Sequence, residues 1–322
     1  MDPPRPATAA SADELLELFQ SIRKELELRE ESPSGAWVDS SVAESRSGAK
    51  PAWYYPPGVD GGGIAFYSRR GPKVWGHVHA AAGPHAAQRA RHLADAMLSA
   101  LPAEVGWASV GFSGFDLAEE RALARALAER AGAVAVERYQ MVRPVRRGDG
   151  TGPVSPPPGL ELIPVRSATV EALGELDARG FHGSLDDLVM GGTVAEYTEV
   201  VQSLLDSRIG RFLDEASILL YEPTPPRLAG ALLVSEASPR EAVILDLVVD
   251  PERRGHGYGR FLLRWALRAL LALGYTTATL WVTEANLPAL RLYESEGFTR
   301  TASTVLFHWT RPSSAPHPQT DR

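Results

Sequence analysis

Apolar residues recur at three- and four-residue intervals in Leu15, Leu18, Phe19, Ile22 and Leu26, which predicts an amphipathic helix over residues 11–29. The Pro/Ala-rich residues 1–10 before it are expected to be disordered. Residues 30–60, rich in Ser, Gly and Pro, read as a loop, and Trp53, Tyr54 and Tyr55 within it suit either a binding surface or packing against the first helix. Shorter apolar runs at residues 64–67 and 74–79 read as strands turned at Arg70-Gly71-Pro72. A helix over residues 85–101 and a strand near 105–111 follow. Asp116 and Glu119 resemble a capping box opening a helix to Arg130, and residues 133–143 read as a strand.

The same order of elements returns later in the chain. A strand at residues 160–165 precedes a helix from Ser167 to about Arg179, a turn at Phe181-His182-Gly183-Ser184 and a helix near 194–205. Residues 217–221 and 228–235 form a hairpin leading into an apolar strand, 243–249, which one acid, Asp246, interrupts. A helix from about Arg260, a strand over 276–283, a helix and a strand pair over 300–309 complete it; the tail from Pro312 is expected to be disordered. The repeated order implies a tandem duplication. Three consecutive prolines in GDGTGPVSPPPG mark residues 148–159 as a linker, since they fit neither a helix interior nor a central strand. The expected division is 1–147, linker 148–159, 160–311 and tail 312–322.

Chemistry concentrates in LDLVVDPERRGHGYGRFLL, residues 245–263. A strand that runs through a glycine loop into a helix gathers main-chain N–H groups at a helix N-terminus, where unsatisfied donors and the positive dipole end favour an anion. Gly255, Gly257 and Gly259 alternate behind the Arg253-Arg254 pair. Glycine lets the backbone approach a phosphate without an intervening Cβ. A dinucleotide fingerprint fails because its third glycine would fall on Arg260, and a nucleoside-triphosphate loop fails because the chain has only three lysines, Lys24, Lys50 and Lys73, none in a GK pair followed by Ser or Thr.

The segment resembles motif A of the GCN5-related N-acetyltransferases, whose RxxGxG pattern is met by Arg254, Gly257 and Gly259. Asn286, Ala289, Tyr293, Gly297 and Phe298 in NLPALRLYESEGF look like that family's motif B, in the expected order. The resemblance covers residues 160–309. It implies an α+β fold of mixed α/β character, two tandem domains each with a mostly antiparallel sheet flanked by helices. Registered on Gly132 and Gly297, the first half places Ala128 at the position of Tyr293 and Arg121 at that of Asn286, and its loop AAAGPHAAQ lacks the arginines and alternating glycines. The first half therefore reads as a degenerate copy. Mycothiol synthase is a family member with this tandem plan and a similar length, although no further match to it is visible outside the two motifs.

The resemblance also implies acetyl-CoA as co-substrate. Its pyrophosphate would rest on Arg254, Gly255, His256, Gly257, Tyr258, Gly259 and Arg260, and its pantetheine arm would run beside Leu247, Val248 and Val249, which needs a bulge or splay after the strand. Asn286 and Tyr293 share one face of a helix, with Ala289 small enough between them for a close approach. The family role of the tyrosine is to protonate the departing thiolate. Read without the family, Asn286 is a helix N-cap and Tyr293 a half-buried core residue. The expected acceptor is a small-molecule amine or a peptide N-terminus. An alkylammonium with a pKa of ~10.4 costs about 4.6 kcal/mol to deprotonate at pH 7, so some group must take a proton. Asp246 is the first candidate base and Glu284 the second; Asp246 could equally be a paired structural acid. A non-catalytic acyl-CoA-binding module remains the alternative of a different class.

Composition narrows the partners. Residues 1–148 hold 18 basic and 18 acidic side chains and residues 149–322 hold 15 and 22, so the net charge of -7 sits in the second half. That argues against nucleic acid, which calls for a basic face. No apolar run approaches the ~20 residues of a membrane span. The absence of cysteine excludes thiolate chemistry and disulfides and fits a cytoplasmic enzyme. His77, His79 and His85 have no carboxylate partners at ligand spacing, so no metal site is expected.

Overall fold

The structure, a computed structural model, describes residues 2–28, 35–57, 61–70, 73–83, 85–103, 105, 107–113, 117–131, 134–150, 155–190, 192–208 and 210–310. The chain forms two compact units, Met1–Glu137 with Thr304–Arg322, and Arg138–Ser303. In chain order the elements are β1 (Arg5–Pro6), α1 (Ala12–Leu28), α2 (Gly35–Ser47), β2 (Ala52–Tyr55), β3 (Gly63–Arg70), β4 (Lys73–Ala80), α3 (Ala86–Ser99), β5 (Trp107–Ser113), α4 (Leu117–Ala131) and β6 (Val134–Pro144). There follow β7 (Glu161–Ile163), α5 (Val170–Phe181), α6 (Leu185–Met190), α7 (Val194–Leu205), β8 (Arg211–Phe212), β9 (Ile218–Pro223), β10 (Pro226–Ser238), β11 (Glu241–Val249), α8 (Tyr258–Ala272), β12 (Thr277–Thr283), α9 (Leu287–Ser295) and β13 (Thr299–Thr310).

In the first unit the strands follow the order β1-β2-β3-β4-β5. The period of two in β3 sends Ala65 and Tyr67 to a core shared with α3 and α4, and Ile64 and Phe66 to a core shared with α1 and α2. Residues 30–60, expected to be a loop, contain α2 and β2 instead. Val38, Ser41, Val42 and Ser45 fall at helical spacing on the buried side of α2, but two of the four are serines, which conceals the apolar stripe. Trp53, Tyr54 and Tyr55 lie on β2 and pack locally: Tyr54 is buried on the α1 side, and Trp53 and Tyr55 lie against the α3 side. His79 bonds Ser21 Oγ at 3.2 Å and His77 sits 5.8 Å from the ring of Phe66. The turn at Gly71-Pro72, and Asp116 and Gly132 at the expected ends of α4, lie outside the described residues.

The second unit repeats the plan, with strands in the order β12-β11-β10-β9-β7 and β8 paired to β10. Its helix α8 buries Leu262, Leu263, Ala266, Leu267 and Leu270 on one face of the sheet, and α5 and α7 bury Leu173, Leu176, Val201 and Leu204 on the other. Packing of α5 on α7 is close: a Cβ on Gly174 would lie 2.3 Å from Thr198 Oγ1. Among the described residues no helix is long and apolar enough to cross a membrane.

The strand that completes each sheet comes from an unexpected part of the chain. Residues 306–310 of β13 pair antiparallel with β5 of the first unit, where Val305 enters the core. Residues 138–144 of β6 pair antiparallel with β12 of the second unit, where Met141 enters the core. The expected strand pair over residues 300–309 is one strand, and the units divide within β6 and β13 rather than in the proline-rich segment. A fragment of residues 138–303 is therefore expected to be soluble and to unfold cooperatively. A fragment of residues 158–311 lacks the β6 strand, leaves the edge of β12 unpaired, and is expected to aggregate. Denaturation and light scattering on the two fragments check this, and equal behaviour would refute it.

Candidate active site

The parallel strands β11 and β12 pair from Glu241↔Thr277 to Ile244↔Leu280 and then part, although each continues as a strand. In the first unit the corresponding strands, β4 and β5, stay paired from Lys73↔Trp107 to His79↔Ser113. The difference begins at a bulge. Leu233 faces Asp246 across the ladder, whereas the next residue, Val234, faces Ile244, leaving Leu245 as an extra residue on β11. The bulge reverses the pleat, so Ile244, Leu247 and Val249 face α8 while Leu245 and Val248 face α5 and α7. Asp250 N bonds Ala229 O at 3.0 Å, and by antiparallel alternation the main-chain groups of Leu247 and Val249 point into the gap.

The gap is the floor of a cleft of about 610 Å³, within the ~300–1,000 Å³ usual for small-molecule sites. One wall holds Gly180, Phe181, Ser184, Leu185 and Asp186; the other holds Thr283, Ala285, Asn286, Ala289, Leu292 and Tyr293. Helix α5 approaches β11 so closely that a Cβ on Gly180 would lie 2.2 Å from Val248 Cγ2.

At the outer end, Gly255 and Gly257 adopt φ of 80° and 81°, left-handed conformations that glycine reaches without strain. Gly257 is the N-cap of α8, and the first helical bond is Phe261 N to Gly257 O at 3.0 Å. The N–H groups of residues 257–260 thus lack intrahelical partners and lie at the positive end of the helix dipole. A Cβ on Gly255 or Gly257 would meet no protein atom, so glycine there serves the backbone turn and leaves open space. The arginines are deployed as struts. Arg253 is held by Glu222 at 2.7 Å. Arg254 donates to Gly180 O and, at 3.3 Å, to Val249 O, clasping α5 to the end of β11. Arg260 lines the cleft and pairs with Glu296 at 3.0 Å. His256 turns its Nδ1 back to Arg254 O at 2.9 Å.

At the inner end the groups are acidic. Asp186 accepts from Thr283 Oγ1 and, at 3.0 Å, from Asn286 Nδ2, while Asn286 Oδ1 caps α9 by accepting from Ala289 N at 3.2 Å. Asn286 therefore is a helix N-cap and lines the cleft as well. Asp246 is 7% exposed and shares its face of β11 with Val248, directly behind that lining residue. Burial pushes its carboxyl up to about 6, against which hydrogen bonds from Asp177 and Leu247 N work. Asp177, on the buried face of α5, is raised well above the usual carboxylate range by burial and then by the neighbouring Asp246. Tyr293 lines the cleft with its ring edge-on to Phe298 at 5.8 Å, and burial, then the charges of Asp246 and Asp186, keep its phenol protonated well above its ordinary pKa. Nothing among the described residues hydrogen-bonds its hydroxyl. Glu284 lies apart from the cleft lining, accepting from Tyr139 OH at 2.8 Å.

The structure thus brings together the expected loop, strand, Asn286 and Tyr293 in one cleft, with Asp246 buried behind Val248, and leaves Glu284 outside the lining. Sequence reasoning missed α6 with Asp186 and the acid Asp177. Both carried a signal: Ser184 and Asp187 have the spacing of a capping motif, with Asp187 N on Ser184 Oγ at 3.3 Å, and Asp177 falls on the apolar stripe of Leu173, Leu176 and Gly180. Among the described residues no cluster of three or more His, Cys, Asp or Glu is arranged to hold a metal.

Residues 192–298 match the model of the acetyltransferase (GNAT) family. Mycothiol acetyltransferase from Clavibacter michiganensis subsp. michiganensis is 30% identical over 261 residues, covering 80% of this chain and 80% of that protein. Mycothiol acetyltransferase from Thermomonospora curvata is 47% identical over 64 residues, 20% of this chain and 22% of that one. Among solved structures, a GCN5-related N-acetyltransferase from Sphaerobacter thermophilus superposes with a TM-score of 0.59 at 18% identity, covering 95% of both chains. A tandem GNAT protein from the clavulanic acid biosynthesis pathway superposes with a TM-score of 0.52 at 16% identity, covering 97% of this chain and 98% of that one. At those identities the two structures establish the tandem fold alone.

The raised carboxyl of Asp246 has a consequence for stability. The folded state holds this proton more tightly than the unfolded chain, whose reference value is 3.8, so the stabilisation is complete below about pH 3.8 and is lost as the pH rises through about 6. Asp246→Asn, which mimics the protonated form, should flatten that part of the profile and be most stabilising relative to the parent above pH 6. Urea midpoints from pH 4 to 7.5 check this; parallel profiles would refute it.

Proposed function

The chain belongs to the GNAT family of acetyltransferases, and from that premise we propose that its second unit moves the acetyl group of acetyl-CoA to a primary amine by direct transfer in a ternary complex. One observation carries this reading: a single cleft presents the unpaired N–H groups of a helix N-terminus at its outer end and the buried carboxylate of Asp186 at its inner end, with Asp246 buried behind Val248. The first suits a pyrophosphate and the second an alkylammonium.

The fit to acetyl-CoA rests on the left-handed glycine turns at Gly255 and Gly257, the unpaired donors of residues 257–260, and the strand edge at Leu247 and Val249 along the open gap. Arg254 and Arg260 shape the cleft walls and add positive potential near the loop. Bound there, acetyl-CoA supplies an activated acetyl group as a thioester. Val248 forms the wall between that arm and Asp246. Asp246 takes a proton from the acceptor ammonium, directly or through one water, since an acid with a pKa of about 6 is ionised at neutral pH yet basic enough to hold a proton. Tyr293 presents a free hydroxyl that donates its proton to the leaving thiolate. Glu284, bonded to Tyr139, is the weaker candidate for the base. Asn286 fixes the start of α9 and so the position of Tyr293 two turns on. The relatives named mycothiol acetyltransferase make amines related to mycothiol the first acceptors to test, ahead of peptide N-termini.

Acetyl-CoA is expected to bind once per chain, because β4 and β5 leave no gap in the first unit. Calorimetry giving two molecules per chain would overturn this. Gly257→Val places a β-branched residue at φ 81° and fills open space in the cleft, so affinity for acetyl-CoA should fall at least tenfold.

Tyr293→Phe keeps the packing and removes the acid. With an acceptor found by screening amines for thiol release, its turnover should drop by ~10²- to 10⁴-fold with little change in acetyl-CoA affinity. Unchanged turnover would show that the thiolate takes its proton elsewhere.

A further inference from the structure

Two buried acids face each other behind the cleft. Asp177 is 4% exposed on α5 and Asp246 is 7% exposed on β11, and their carboxyls are within hydrogen-bonding reach. The bulge at Leu245 is what turns Asp246 toward α5, and the close approach permitted by Gly180 brings α5 down onto β11. Asp177 Oδ1 is buried and receives no hydrogen bond from the protein's N–H or O–H groups among the described residues. Two carboxylates cannot be held together this way in a poorly solvated site; one proton must lie between them.

We infer that Asp177 is a positioning residue for Asp246: it carries the proton of the pair and donates it in a hydrogen bond to Asp246, holding Asp246 as the anionic member behind the cleft wall. The assignment of the proton follows from the surroundings. The main chain at Leu247 favours the ionised form of Asp246, whereas Asp177 Oδ1 is buried with no donor among the described residues, so a charge on Asp177 would go uncompensated. The other groups that face Asp246 are Asp186 from α6, Tyr293 from α9 and Tyr197 from α7; Tyr197 OH is itself bonded to Asp187 at 2.8 Å. Arg138 on β6 faces Tyr293 and works against the rise in its pKa. Without the proton of Asp177, Asp246 would share its pocket with another anion and would itself stay protonated near neutral pH. In the working cycle the proton leaves an acceptor nitrogen for Asp246, the pair then holds two protons and is neutral, and one passes to water after the product departs. Asp177 keeps its proton throughout.

This inference rests on the proposed acyl transfer only for its functional meaning, and the primary test does not use turnover. In the full chain labelled with carbon-13 at aspartate side-chain carboxyls, NMR should show one aspartate still protonated at pH 7, and its signal should vanish in Asp177→Asn. Asp246, identified by its loss in Asp246→Asn, should titrate near 6 in the parent. Asp177→Asn retains an N–H donor and should leave that titration in place, while Asp177→Ala removes the donor and should move it up by about one unit. The acid limb of kcat/KM with the screened amine should shift the same way, which a merely structural role would not cause. If Asp177→Ala fails to fold, the parent and Asp177→Asn spectra still decide. No protonated aspartate at pH 7, or one that persists in Asp177→Asn, would overturn the inference. Failure to transfer acetyl groups, with the protonated signal present, would instead overturn the proposed function alone.

Discussion

The parting of β11 from β12 is the constraint on which the rest of the second unit depends. A single extra residue, Leu245, bends the strand, turns the main-chain groups of Leu247 and Val249 toward the gap, and moves Asp246 from the α8 face to the α5 face. Without that reversal Asp246 would lie among the leucines of α8, where no donor awaits it. The first unit shows the same order of elements with the parallel pair closed along its length, and so it has the fold without the gap.

Around this gap the protein divides its charges. The positive end is made chiefly of backbone: two left-handed glycines and a helix start, which need no counter-charge and hold their geometry because the chain path fixes it. The arginines beside it brace the walls, with Arg254 tying the loop to Gly180 and Arg253 tying it to Glu222. The negative end is made of side chains that would be costly to bury singly. They are tolerated because each has a neutral donor or a shared proton: Asp186 has Thr283 and Asn286, Asp187 has Tyr197, and Asp177 and Asp246 have each other.

These clasps also explain why α6, only six residues long, has a fixed place. Asp186 ties it to the start of α9, and Ser184 and Asp187 close its own first turn. The helix that carries Tyr293 is thereby positioned from its first residue, Leu287, onward, and the cleft wall and the phenol are parts of one hydrogen-bonded arrangement.

Local chemistry in the sequence determined much of this. The alternating glycines required a turn that only glycine adopts readily, Asn286 announced a helix start, and the apolar periods of residues 258–272 and 12–28 specified which faces would be buried. The order of elements and the two motifs were enough to give the family and the place of the cleft. Helix α2 escaped because serines occupy half of its buried stripe. Long-range pairing escaped entirely. That residues 138–144 complete the sheet of the second unit and residues 306–310 that of the first depends on which edges are open once the rest has folded, and no local period records it. The bulge at Leu245 is likewise a relation between two strands rather than a property of one. Asp246 looked the same in the sequence on either face; only the tertiary structure turned it toward α5 and set the buried acid Asp177 against it.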